Sequence, residues 1–285
     1  MIEITDTFDR QQWDEFIHDH PHGNIFQTTE MAEVYRQTKD YDPISLAAFD
    51  SDSGKILAIL QAVVIREIGG ILGSFSARSV IQGGPVFVGG EEGLESVAKL
   101  MEHYDGVVGK KIVYSQIRNM WDTQGIRDIL SSLGYIYEEH LNFLIDLDRP
   151  ADEIWSNIHK SRRKGINRAE KTGISIRYLE ELVELDDCHD LIEETYKNVK
   201  MPFADITLLK AAFGILGPIG VADFYIASQD GKPVGTRITL KYNGKVHDWY
   251  AGSLKNAAYV DEAIVWHILK ENAGKQKVFD FGGAG

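Results

Sequence analysis

The sequence predicts a mixed α/β protein made of two domains of one fold, and three observations carry that expectation. The chain has 285 residues, more than one small core usually serves, so two units of similar size are expected. Apolar residues make up 44% and charged residues 26%, the balance of a globular chain able to bury a sizeable core. The order hairpin, strand, helix, strand also occurs twice, with the turn Gly54-Lys55 answered by Gly231-Lys232. The recurrence lies in element order, not in residue identity. The expected domains are residues 1–147 and 148–285.

Asp9 can cap a helix that carries Trp13, Phe16 and Ile17 on one face and stops at His20-Pro21, since proline disfavours helix in the residue before it. His18, His20 and His22 alternate beside Pro21 and Gly23. Without a carboxylate cluster they read as a polar loop, and no metal is expected. Residues 44–49 and 56–65 read as strands, joined by the turn Asp50-Ser51-Asp52-Ser53-Gly54-Lys55. The second of these is the most apolar run, too short for a membrane span, which needs roughly 20 residues. A glycine-rich stretch (Gly69, Gly70, Gly73) precedes Gln82-Gly83-Gly84-Pro85-Val86, read as a strand entrance. Residues 91–104 have helical apolar spacing at Leu94, Val97, Ala98 and Met101, and residues 112–117 form another strand. In the second half, residues 222–228, 234–241 and 246–253 read as strands. Residues 257–273 read as a helix and 278–281 as a strand.

Between the halves, residues 148–173 predict one amphipathic helix. Asp148 can cap it, Pro150 suits its first turn and Gly173 its end. Ile154, Trp155, Ile158, Ile166 and Ala169 form one stripe; Lys160, Lys164, Arg168 and Lys171 form another. Residues 159–171 hold six Lys or Arg and one Glu, a net of +5 in a chain of net charge −13, so the remainder carries −18. That acidic remainder excludes a large nucleic-acid footprint, DNA included, and adhesion to an anionic membrane. A single cysteine, Cys188, excludes an intrachain disulfide framework and fits a reducing compartment. The N-terminal Met-Ile-Glu-Ile-Thr-Asp has no basic region or apolar run. A cytoplasmic protein with no signal peptide and no transmembrane segment is expected.

The segment from Ile154-Trp155 through His159-Lys160-Ser161-Arg162-Arg163-Lys164-Gly165-Ile166-Asn167-Arg168-Ala169-Glu170-Lys171-Thr172-Gly173-Ile174 resembles the FemAB and FemX group. Five further pieces resemble it in the right order. They are Asn24-Ile25-Phe26-Gln27-Thr28-Thr29-Glu30-Met31, Gln82-Gly83-Gly84-Pro85-Val86, residues 196–203, residues 247–253, and Val278-Phe279-Asp280-Phe281-Gly282-Gly283. The resemblance implies a tandem pair of GNAT-like domains in the acyl-CoA N-acyltransferase superfamily. It further implies an N-acyl or aminoacyl transferase that forms an amide on an amine acceptor. Members include builders of peptidoglycan cross-bridges that use aminoacyl-tRNA, and relatives that use acyl-CoA. The donor is thus acyl-CoA or aminoacyl-tRNA, with no permanently bound cofactor. The acceptor amine is a small molecule or lipid-linked or nucleotide-linked, and a tRNA acceptor end is a further partner. Three departures stand out. Gly83 replaces an arginine frequent in the group, no long heptad insertion occurs, and Gly283-Ala284-Gly285 ends the chain where members continue into a returning strand.

The resemblance places the donor carbonyl beside the 247–253 strand. Alternation puts His247, Trp249 and Ala251 on one face, Asp248 and Tyr250 on the other. His247 and Asp248 are the candidates for handling a proton. Trp249 and Tyr250 are candidate walls. Gly252 and Ser253 are candidates for close backbone approach to the donor. Lys160, Arg163, Lys164 and Arg168 are the candidates for phosphates, joined by Lys200 and Arg237. Asp280 before two glycines is as much a loop cap as a site residue. Cys188 and His189 point to different faces of a helix, so no thiol chemistry is expected. Two other readings compete: a catalytically inactive GNAT-like binding or scaffold protein, and an acyl-CoA-dependent enzyme that modifies glycans. No arginine/glutamine-x-x-glycine-x-glycine loop precedes the last helix, which weakens acyl-CoA relative to aminoacyl-tRNA. A single short basic helix counts against tRNA.

Overall fold

The computed structural model describes residues 1–66 and 77–283. The glycine-rich stretch at Gly69, Gly70 and Gly73 lies outside the described residues. The chain divides into two compact units, Met1–Glu139 and His140–Gly285. The border falls earlier than expected because residues 144–146 already pair into the second sheet. Among the described residues, no helix is long and apolar enough to cross a membrane.

The first unit runs β1 (Ile2–Thr5), α1 (Arg10–Asp19), α2 (Thr29–Arg36), β2 (Tyr41–Asp50), β3 (Ile56–Arg66), β4 (Ala77–Gln82), β5 (Val86–Phe87), α3 (Gly90–Val108), β6 (Tyr114–Arg118) and α4 (Arg127–Ser132). Its sheet has the order β1-β2-β3-β4-β6, with β5 beside β3. All pairs are antiparallel except β4 with β6. Asp9 caps α1 by accepting from the Gln12 amide at 2.8 Å, and α1 buries Trp13 and Ile17. Tyr104 of α3 joins the core with Leu60, Ile81 and Leu100. Its hydroxyl donates to Ser79 Oγ at 2.6 Å. Gln82 closes β4 instead of opening a strand, because Gly83 (φ 69°) turns the chain there.

The Phe26-Gln27-Thr28 segment is structural. Gln27, fully buried, donates from Nε2 to the carbonyls of Gln61 and Gln82, both at 2.9 Å. Its Oε1 accepts from the Gln61 amide at 2.8 Å. Thr28 caps α2 through the Met31 amide.

The second unit runs β7 (Leu144–Asp146), α5 (Ala151–Asn157), α6 (Lys160–Lys171), β8 (Ser175–Tyr178), α7 (Leu185–Asn198), α8 (Thr207–Ile215), β9 (Ala222–Gln229), β10 (Lys232–Tyr242), β11 (Lys245–Ser253), α9 (Val260–Asn272) and β12 (Val278–Asp280). Its sheet order is β7-β12-β11-β10-β9-β8. The expected single helix over 148–173 is two helices. Ile158 and His159 are extended (ψ 133° and 139°), and Pro150, not Asp148, is the residue before the first turn. His159 caps α6 through the Ser161 amide. The break lets each segment pack separately: Trp155 against Trp266, rings 4.7 Å apart, and Gly165 against Tyr259.

The repeat read from the sequence is present as topology. β2, β3, β4, α3 and β6 in the first unit have the same order and pairing sense as β9, β10, β11, α9 and β12 in the second. Each set ends in a parallel pair.

Gln27→Met keeps the volume but leaves three buried backbone groups without partners. It should lower unfolding free energy by about 3 kcal/mol, since each such group costs about 1–3 kcal/mol. Chemical denaturation checks this, and an unchanged midpoint would refute the structural role of the motif.

Candidate functional site

The two parallel pairs differ where it matters. β4 and β6 stay joined from Arg78–Tyr114 to Gln82–Arg118, and the Gly83 amide extends the ladder to the Arg118 carbonyl at 2.8 Å. β11 and β12 pair only at Lys245–Val278, Val246–Phe279 and His247–Asp280. From Asp248 onward, the β12-side edge of β11 has no strand partner among the described residues. The first unit is zipped where the second unit is open.

A β-bulge reshapes β11 at the same point. The register with β10 passes from Ile238–Tyr250 to Thr239–Asp248, so Trp249 is the extra residue. The alternation expected from the sequence is therefore interrupted. His247, opposite Leu240, and Tyr250, opposite Ile238, share the face covered by α7. Asp248 and Ala251 share the face covered by α9. His247 and Asp248 do lie on opposite faces, as alternation of adjacent residues demands, so they do not form one proton-handling pair.

On the α9 face, Arg237 Nη1 donates to Asp248 Oδ2 at 3.0 Å, with the side chains only 10% and 12% exposed. Arg237 Nη2 lies 3.9 Å from Asp261 Oδ1. Burial pushes the Asp248 carboxyl above the usual range, against the pull of the Arg237 guanidinium. The other oxygen of Asp248, the Arg237 Nε and the Thr239 hydroxyl are buried with no hydrogen-bond partner. Arg237 is thus the buried companion of Asp248, not a free phosphate ligand. Thr239 and Asp261 were missed in the sequence. The signal for Thr239 was Arg237, Thr239 and Lys241 at every second position of one strand.

On the α7 face, His247 Nδ1 lies 3.9 Å from Asp280 Oδ2. Burial opposes ionisation of Asp280. The nearby His247 ring and bonds from Asn142 Nδ2 (2.7 Å) and the Gly282 amide (2.8 Å) nevertheless hold its carboxyl below the usual range. Tyr250 stacks edge-on with Phe203 at 5.0 Å and lies 4.8 Å from Trp249, making an aromatic wall. Lys200 (φ 58°) is exposed in the loop that delivers Phe203.

Two expectations are corrected. A Cβ on Gly252 would lie 2.5 Å from the α7 backbone at Leu191 and Ile192, so the missing side chain admits a helix, not a donor. The Ser253 amide donates to Thr195 Oγ1 at 3.2 Å and its hydroxyl to Asp261 Oδ2 at 2.9 Å, so neither is free for a ligand.

The phosphate candidates are on α6. Lys160, Lys164 and Arg168 are exposed and Arg163 half-buried. Arg168 Nη1 donates to the Tyr259 hydroxyl at 3.1 Å. Arg168 and Lys171 line a cleft of about 300 Å³ with Thr172, Gln229, Asn256 and Tyr259. The first turn of α9 carries Asp261 and Glu262, the latter paired with Arg162. Its own carboxylates therefore meet the positive end of the α9 dipole. On α7, ligand-type atoms of His189, Asp190 and Glu193 lie within 4.8 Å of one another. His189 already bonds the Ala204 carbonyl at 3.1 Å, and Glu193 pairs with Lys197 at 2.7 Å.

Gly252→Val should lower the melting temperature by about 5 °C or more, whether or not a donor is present; wild-type melting would overturn the close approach of α7. Burial pushes the Cys188 thiol up to about 11. Alkylation at neutral pH should therefore require unfolding, and rapid labelling of the folded chain would contradict it.

Residues 156–285 match the family described as an acetyltransferase (GNAT) domain. No curated protein matches the chain in sequence. Among solved structures the chain is similar to FemX at 14% identity, with 99% of this chain and 89% of that chain covered and a TM-score of 0.72. It is similar to L-PGS from Bacillus licheniformis at 15% identity, 99% and 78% coverage and a TM-score of 0.59. It is also similar to a tandem GNAT protein from the clavulanic acid biosynthesis pathway at 11% identity, 98% and 89% coverage and a TM-score of 0.58. The chain thus has a FemX-like fold of two GNAT-like units, the second of which contains the stretch that matches the acetyltransferase (GNAT) domain family.

Proposed function

We propose that the chain transfers an acyl or aminoacyl group to an amine at the opening of β11, with Asp248 accepting the proton that the amine must lose. The observation that carries this reading is the coincidence of three features at one residue. The β11–β12 pairing stops there, a bulge follows it, and the carboxyl is buried beside Arg237 with its affinity for a proton raised.

An amine attacks a carbonyl only after losing its ammonium proton. A carboxylate with a raised pKa is a stronger base than an ordinary surface aspartate. Arg237 keeps Asp248 anionic between turnovers and fixes its direction. The nitrogen then attacks the donor carbonyl, the C–N bond forms, and the thiolate or alkoxide leaves with the second proton. The unpaired edge of β11 offers backbone amides to the developing oxyanion. Tyr250, Trp249 and Phe203 wall the opposite face.

The donor is a phosphate-bearing carrier, held by Arg168 and Lys171 in the cleft, with Lys160, Arg163 and Lys164 extending the positive stripe. Carboxylates at the head of α9 disfavour phosphate there and favour the α6 side. Acyl-CoA and the acceptor end of an aminoacyl-tRNA both meet this description. The name of the clavulanic acid pathway neighbour mentions AcCoA, which favours the first. The acceptor is an amine on a small molecule or on a lipid-linked or nucleotide-linked precursor, and the setting is cytoplasmic.

Transfer from acetyl-CoA, longer acyl-CoAs and charged tRNA to an amine acceptor tests the reading. Asp248→Asn should lower kcat by about 100-fold or more, and wild-type turnover in that variant would sink the assignment. Because the Asp248 pKa is raised, wild-type turnover should fall as pH drops through that raised value, where the carboxyl becomes protonated. Arg168→Glu with Lys171→Glu should weaken donor binding in calorimetry, with the deficit shrinking at high salt. Unchanged affinity would make α6 a solvated face.

A further inference from the structure

The head of α9 covers the sheet face that carries Asp248, and the residues that seat it there also reach Arg237. Directly opposite residues on paired antiparallel strands share a face. On β10 and β11 the α9-facing pairs are Gly235 with Ser253, Arg237 with Ala251 and Thr239 with Asp248. A Cβ on Gly235 would overlap Val260 of α9 and come within 3.1 Å of Ile264 Cδ1. The missing side chain lets the first turn of the helix rest on β10 two residues before Arg237. Asp261 follows Val260 in that turn.

Two contacts show where the Asp261 carboxylate points. Its Oδ2 accepts from Ser253 Oγ at 2.9 Å, and its Oδ1 lies 3.9 Å from Arg237 Nη2. The other acid of the turn, Glu262, is paired with Arg162 of α6. Arg237 therefore stands between two carboxylates from different elements, Asp248 of β11 at Nη1 and Asp261 of α9 at Nη2. Its Nε is buried with no hydrogen-bond partner, so the two Nη arms orient the guanidinium plane. At 3.9 Å the second arm acts through charge rather than through a hydrogen bond. Asp261 is 52% exposed, and an ion pair at such a site adds little to stability. Its effect on the shielded Arg237–Asp248 pair is the larger one.

Resting on the reading of Asp248 as proton acceptor, we infer that Asp261 is a positioning residue that acts through Arg237, holding the second arm of the guanidinium and drawing part of its charge away from Asp248. A guanidinium committed wholly to Asp248 orients that carboxylate but makes it a poorer base. One shared with Asp261 orients it and leaves it able to take a proton. The transfer step itself is unchanged. The acceptor ammonium gives one proton to Asp248, the C–N bond forms, the donor C–S or C–O bond breaks, and the second N–H proton goes to the leaving group.

The charged and titratable groups that act on Asp248 are Arg237 of β10, His247 of β11, Asp261 of α9 and Asp280 of β12. Burial is the largest influence and raises its carboxyl; Arg237 and His247 pull it down, and Asp261 and Asp280 push it up. His247 and Asp280 form a pair of their own. Asp261 is thus the counterweight to Arg237 on the α9 face.

The test follows the Asp248 carboxyl by carbon-13 NMR of the full labelled chain, its signal identified by its loss in Asp248→Asn. In Asp261→Asn the titration midpoint of that signal should move to lower pH, because a repelling negative charge has gone. At saturating donor (acetyl-CoA, a longer acyl-CoA or charged tRNA, whichever supports transfer) kcat should fall about tenfold. The acid limb of turnover should move to lower pH together with the midpoint. The melting temperature should stay within about 3 °C of the wild type. Asp261→Glu, which keeps the charge, should restore the midpoint and most of kcat. An unmoved midpoint in Asp261→Asn, or in Asp261→Ser should the first variant not fold, overturns the inference. So does a midpoint in Asp261→Glu as low as in the asparagine variant, or a loss of kcat that leaves the acid limb in place. If Asp248→Asn stops turnover while Asp261→Asn keeps wild-type midpoint and kcat, only the role of Asp261 falls. If Asp248→Asn turns over normally, the role of Asp248 falls and that of Asp261 with it.

Discussion

β11 is hydrogen-bonded to β10 from Lys245 to Ser253 but to β12 only as far as His247, so the parallel side of the strand runs out of partners where Asp248 begins. Backbone amides and carbonyls left at such an edge demand other partners, and the surroundings follow from that demand. The bulge at Trp249 increases the local twist. The Asp280 carboxylate collects the Gly282 amide and Asn142, closing the end of the paired region. The Arg237–Asp248 ion pair occupies the α9 face beside the gap. A buried pair of this kind is weak support for stability in itself, because desolvation offsets most of the attraction. Its position at the opening gives it a reason other than stability.

The first unit makes the same topology serve a different end. Its equivalent parallel pair continues through Gly83 to Arg118, and the buried Gln27 side chain ties two neighbouring strands by their main chain. Nothing parts there. The difference between two units of one fold is thus expressed in backbone hydrogen bonds before any side chain is considered.

Much of the fold was legible in the sequence because its elements are bounded by local signals: Asp9 before α1, the Asp50–Lys55 turn, the Gly231 turn and the apolar period of α3. The helix break at Ile158–His159 was not legible, since that stretch keeps helical apolar spacing and only tertiary packing of Trp155 and Gly165 separates the halves. The single candidates Asp248 and Arg237 were found, but their relation was not. A bulge moves one residue out of register, and no alternation rule reveals which one. Gly252 shows the opposite failure: a glycine in a strand marks close approach, yet the sequence does not say whether ligand or helix approaches. The α7 backbone at Leu191 answers that.

The basic stripe of α6 belongs to a chain that is otherwise strongly acidic, with +5 over residues 159–171 against −18 elsewhere. For an arriving polyanion the net charge of the chain repels while the α6 stripe attracts. Encounters are thereby biased in orientation before any contact forms, and wrong-way collisions are shortened. Ionic strength flattens both the repulsion and the attraction, so added salt weakens the approach of a polyanion and also erases the bias in its orientation.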